Sequence, residues 1–161
     1  MRVSWDDYFM TMVYLVASRS KDERTHVGAV IVGPDREIRS TGYNGFPRGI
    51  IDWKMERQER PEKYYWIAHA EANAIANAAL IRVSLKDCTL YTNGVPCTTC
   101  GCAIVNSGIR TVVVDARWKF YARDKWNEEA KRTIQMFKEA DVAIRYWMGN
   151  FVKIERYSYA E

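Results

Sequence analysis

Residues 69–83 read HAEANAIANAALIRV, and residues 96–100 read PCTTC. The first stretch is rich in alanine and predicts a helix that opens on a histidine with a glutamate two residues later. In the second, two cysteines three apart share one helix face. Pro96 suits a helix start, where the dipole and the free first-turn amides favour thiolate over thiol. Two thiolates and one imidazole make a three-ligand zinc set that leaves one tetrahedral position open. Taken alone, C-x-x-C fits a redox pair or a metal half-site equally well. His69 with Glu71, followed by Cys97 and Cys100, favours the metal.

Around these stretches the chain alternates helical and strand patterns. Residues 4–20, SWDDYFMTMVYLVASRS, predict a first helix: Ser4 caps it, Asp6 and Asp7 complement its N-terminal dipole, and Trp5, Phe9, Met12, Val13 and Val16 recur at helical spacing. HVGAVIVG, the turn GPDRE and IRSTGYNG read as a hairpin. DWKMERQERPEK, residues 52–63, carries dense mixed charge and reads as a solvated helix or loop. After the HAE helix come a strand in DCTLYTNGV, a helix in CTTCGCAIVNSG stopped by Gly108, a strand in IRTVVVDA, an amphipathic helix in KWNEEAKRTIQMFKEA and a last strand in DVAIRYW. The order α-β-β-α-β-α-β-α-β predicts an α/β sandwich around a mixed sheet, antiparallel at the hairpin.

Composition narrows the function classes. At 161 residues the chain is expected to form a single domain, residues 1–161, and can bury a core without disulfides. Hydrophobic residues at 48% exclude a disordered chain. The formal charge of +4 comes from interspersed charges of both signs, which suits a small anionic ligand better than a nucleic acid. No run approaches the ~18 apolar residues of a membrane span, and the acidic start MRVSWDDYFM does not read as a signal peptide. Clustered reduced cysteines then point to a cytoplasmic setting and to metal rather than disulfides. Cys88 and Cys102 lack histidine partners and read as plain thiols.

The pattern H-x-E followed by P-C-x-x-C is the signature of zinc deaminases, and the chain resembles the zinc-dependent cytidine deaminase superfamily. GYNGFPRG and RPEKYYW ahead of HAE resemble the deoxycytidylate (dCMP) deaminases of bacteria and their phages. The resemblance implies a cytidine deaminase-like three-layer sandwich with a five-stranded mixed sheet flanked by helices. It implies Zn2+ on His69, Cys97 and Cys100, with Glu71 as the catalytic proton shuttle. It implies that Asn44 contacts the deoxyribose and that the Ala70 backbone N–H meets the pyrimidine carbonyl. Trp118, where many relatives have tyrosine, packs beside the base. Arg24 falls at the pocket mouth toward the 5′-phosphate, with Thr25 and Val27 as nearby walls and His26 not a ligand.

The activity so implied is hydrolytic deamination of dCMP to dUMP and ammonia, supplying dUMP for thymidylate synthesis. It further implies a homohexamer with dCTP and dTTP as effectors, and neither a membrane nor a nucleic-acid partner. GYNGFPRG and the charged segment are the expected effector loop, and the aromatic tail RYWMGNFVKIERYSYAE is expected to pack on a neighbouring subunit. Free cytidine, dCTP or tRNA adenosine as substrate, and a non-catalytic zinc-stabilised nucleotide-binding module, are the alternatives.

Overall fold

Alternation in the central strands shows how the layers form. In β1 (Gly28–Val32) every residue is buried, so helices must cover both sheet faces. Val30 and Val32 pack with Phe9, Met10 and Val13 of α1 (Trp5–Ala17), while Ala29 and Ile31 face the opposite layer with Ala70, Ala74 and Ile104. The computed structural model describes residues 2–120 and 124–153, without the side chains of 120 and 124–126.

The remaining elements are β2 (Ile38–Tyr43), α2 (Lys63–Trp66), α3 (Ala70–Leu80), β3 (Thr89–Thr92), α4 (Thr98–Asn106), β4 (Thr111–Asp115), α5 (Asp124–Glu139) and β5 (Ala143–Trp147). Short 3-10 turns lie at Met55–Arg57 and Ala116–Phe120. The sheet order is β2-β1-β3-β4-β5. β1 is antiparallel to β2 and β3, whereas β3, β4 and β5 run parallel. The expected mixed five-stranded sandwich is therefore the observed fold. No helix among the described residues is long and apolar enough to cross a membrane.

The local signals act as the sequence suggests. The Ser4 hydroxyl accepts from the Asp7 amide and starts α1. Gly108 has φ +81°, a left-handed stop after α4 that favours glycine. Phe137 of α5 is fully buried in the layer shared with α3 and α4, and truncating it to alanine would cost about 3–5 kcal/mol. The apolar stripe of α1 is displaced from the expected one. Met10 and Ala17 are buried, while Trp5 is 43% exposed and lies stacked on Phe9 at the rim.

One close approach fixes the depth of α3. A Cβ at Gly42 in β2 would lie 2.3 Å from the Ala74 nitrogen and 2.4 Å from the Ala70 carbonyl oxygen. Glycine there lets the helix backbone rest on the strand, which sets the height of the N-terminal residues His69 and Glu71 above the sheet.

Candidate zinc centre and active site

α3 and α4 both begin at one end of the sheet. Their N-cap residues are His69 and Cys97, each in extended backbone. The Cys97 sulfur accepts from the Cys100 amide at 3.5 Å, as an N-cap side chain does. The C-x-x-C pair thus straddles the cap rather than lying wholly inside the first turn, and the two sulfurs still converge. His69 Nδ1 lies 3.3 Å from Cys97 Sγ and 3.6 Å from Cys100 Sγ.

These three residues form the metal-capable group among the described residues, with ligand atoms all within 4.8 Å of one another. Tetrahedral zinc, with bonds of about 2.3 Å to sulfur and 2.0 Å to nitrogen, places such atoms about 3.6 Å apart. Spacing and donor chemistry therefore fit Zn2+.

The electrostatics agree with a metal-ready site. A hydrogen bond from the Cys100 thiol, with His69 adding to it, outweighs burial and holds Cys97 down to about 4. Cys100 is pushed up, first by that hydrogen bond and then by burial. His69 is raised mainly by its hydrogen bond to Cys97. The thiolate sits between two helix N-termini, where partial positive charge favours it.

Glu71 lies in the first turn of α3 and is 4% exposed. Burial pushes its carboxyl up, and the neighbouring His69 pulls it partly back. Its place in the first turn, two residues after the N-cap His69, sets Glu71 beside the metal group. A buried carboxyl raised toward neutrality and set beside a Lewis-acid site is suited to carry a proton. Ala70, fully buried, occupies the first helical position, where its N–H has no intrahelical partner.

Of the expected substrate residues, Ala70 and Asn44 lie beside His69. Gly45 and Ala68 form an isolated bridge that brings residues 44–45 beside His69. Asn44 is 4% exposed and already bonded: Oδ1 accepts from the Val27 amide at 2.8 Å, and Nδ2 donates to the Thr25 carbonyl at 2.8 Å. It braces the rim that carries Arg24, Thr25 and Val27. Thr25 is exposed, Val27 packs on the core, and Arg24 is exposed with its guanidinium on both Glu59 oxygens at 2.8 and 3.1 Å. Trp118 packs over Gly94, three residues before Cys97, and against the core. His26 is exposed and outside the metal group. Cys102 is exposed on α4, and Cys88 is buried.

Three residues of this region have no motif to reveal them. Asn93 accepts from the Gly28 amide and donates to the His26 carbonyl, joining the ends of β1 and β3. Asp22 and Lys63 form a buried ion pair, so the charged segment expected to be solvated contributes a core residue. Charge alternation around Lys63 masks it, because burial of a lysine depends on a partner far away in sequence.

Comparison with known proteins agrees with this geometry. Residues 3–116 match the family described as the cytidine and deoxycytidylate deaminase zinc-binding region. The deoxycytidylate deaminase of Mus musculus is 33% identical over 159 residues, covering 94% of this chain and 84% of the mouse protein. An uncharacterised deaminase of Aliivibrio fischeri is 35% identical over 142 residues, covering 88% of this chain and 92% of that one. The dCMP deaminase of cyanophage S-TIM5, solved with dCMP and dUMP, shares the fold with a TM-score of 0.69 at 21% identity, covering 91% of this chain and 99% of the phage protein. With a metal-capable His-Cys-Cys group assembled at two helix N-termini and most of its length matched, the chain belongs to the cytidine and deoxycytidylate deaminase family.

Proposed function

We propose that the protein hydrolyses dCMP to dUMP and ammonia. The observation that carries this reading is Glu71, buried with a raised carboxyl against the His69–Cys97–Cys100 group. Its relatives in mouse and human are named deoxycytidylate deaminases. Zinc, held by those three residues, supplies a Lewis acid that lowers the pKa of a water.

The chain's own groups do the rest. Glu71 takes one proton from the attacking water and delivers it to the ring nitrogen N3; it then takes the second proton, from the hydroxyl now on C4, and gives it to the departing amine as the C4–N bond breaks. Water and dCMP thus become dUMP and ammonia with no redox change. The Ala70 N–H orients the pyrimidine carbonyl. Asn44 keeps one Oδ1 lone pair for a sugar hydroxyl while its donors hold the rim. Trp118 walls the base. Arg24 exchanges Glu59 for the 5′-phosphate, a denser anion that its planar fork binds bidentately.

Assembly into a homohexamer, with dCTP and dTTP acting through GYNGFPRG (residues 42–49) and the charged segment 52–63, is part of the same proposal. Of the aromatic tail expected to pack on a neighbouring subunit, residues 154–161 lie outside the described residues, and Phe151 and Val152 contact Tyr14 and Thr11 of α1. Exposed Trp53 (75%) and Tyr65 (81%), with Ile50, Ile51 and Met55, are apolar side chains suited to subunit contact. Sedimentation with and without dCTP tests the assembly. Turnover of dCMP by the zinc-loaded protein tests the reaction.

A further inference from the structure

We infer that Lys63 is a positioning residue for the substrate rim, acting through Asp22; the inference rests on the dCMP reading for its kinetic part. Residues 22–27 contain no helix or strand, yet they carry the rim side chains. What shapes them is a single carboxylate. Asp22 Oδ1 accepts from the amides of Arg24 at 2.9 Å and Thr25 at 3.2 Å. Its Oδ2 accepts from Lys63 Nζ at 2.7 Å and from Asn44 Nδ2 at 3.5 Å. Asp22, Lys63 and Asn44 are 3%, 5% and 4% exposed.

Asn44 in turn fixes the Thr25 carbonyl and the Val27 amide. The Ser20 hydroxyl closes the loop by donating to the Asn44 carbonyl and accepting from the Asp22 amide. The Arg24, Thr25 and Val27 backbone groups named here are therefore bonded to Asp22 or to its partner Asn44. Among the described residues, Lys63 is the one cation on Asp22. Without it the buried carboxylate is left uncompensated, and water drawn in to solvate it loosens its grip on the rim amides.

Lys63 opens α2, in the segment that also reaches the rim through Arg24–Glu59 and Lys21–Asp52. The segment is thus a handle on the pocket: its position sets that of the rim. Lys63 touches no reacting atom, and its role is geometric.

The test compares wild type with Lys63→Met and with the charge-neutral pair Asp22→Asn/Lys63→Met, all zinc-loaded. In the pair, the asparagine carbonyl still accepts from the Arg24 and Thr25 amides. Hydrogen exchange of the Arg24, Thr25 and Val27 amides is read together with KM, kcat and zinc content. In Lys63→Met we expect exchange at these amides to speed about tenfold or more, with α3 amides unchanged. KM for dCMP should rise on the order of tenfold, with kcat and zinc within about twofold. The pair should recover most of both.

Unchanged exchange and KM in folded Lys63→Met overturn the inference. So does a loss of kcat and zinc in both variants, or failure of both to fold, since Lys63 would then support the fold at large. Wild type that does not convert dCMP, with rim exchange still responding to Lys63→Met, discards the dCMP reading and keeps the positioning role.

Discussion

His69 Nδ1 and Cys97 Sγ lie 3.3 Å apart, and each belongs to the residue that caps its helix. One metal ligand from each of two helices, with Cys100 one turn behind, means that zinc would join α3 to α4 at their positive ends. Zinc binding is then folding energy for this end of the sandwich. Chelation should lower the melting temperature, and Cys100→Ser should abolish stoichiometric zinc. Calorimetry with zinc analysis checks both. An unchanged melting temperature on zinc removal would contradict a metal that joins the helices.

Glu71 is outside the ligand group, so Glu71→Gln should keep zinc and the fold. Loss of general acid–base catalysis should lower kcat by about 10²–10⁴-fold. Steady-state kinetics on protein of measured zinc content decide this, and turnover near wild type would remove Glu71 from its role.

Arg24 is held by Glu59 in a pair more than half exposed on each side. Such a pair contributes little to stability, but it competes with an incoming phosphate. Glu59→Gln should lower KM for dCMP a few-fold, and Arg24→Ala should raise it by about tenfold. Neither should alter KM for deoxycytidine, which lacks the phosphate. Equal effects on both substrates would place the phosphate elsewhere.

Two carboxylates far from the site contribute to acid stability. The Arg145 hydrogen bond, with Tyr91 adding to it, holds Asp6 below its ordinary 3.8. Burial would raise Asp115, but hydrogen bonds from Arg117 and Tyr14 hold it below 3.8 as well. A folded pKa below the unfolded one means that the stabilisation is present above about pH 4 and is lost as pH falls through the folded value. Asp6→Asn should therefore lower the melting temperature at pH 7 and flatten its fall below pH 4. A melting curve series across pH measures the slope.

The order of elements and the ligand set were legible because their signals are local. Hydrophobic periodicity, the Ser4 cap, Gly108 and the H-x-E and P-C-x-x-C spacings all lie within a turn or two. The rim was not legible in the same way. Asp22 meets Lys63 across 41 residues, and neither differs in pattern from its solvated neighbours. Asn44 could be named from the family pattern, yet its hydrogen bonds to Thr25 and Val27 depend on how β2 returns beside the loop before β1. Trp5 followed helical spacing but ended at the rim, because burial of a large indole is decided by what the sheet edge offers.

The central claim is the reaction itself. Purified zinc-loaded protein, given equal dCMP, CMP, deoxycytidine and dCTP, tests it by mass spectrometry, with a gain of about one mass unit marking each amine replaced by oxygen. Selective conversion of dCMP, with or without dCTP as activator, is the predicted result. No conversion of dCMP, or equal conversion of deoxycytidine, would contradict it.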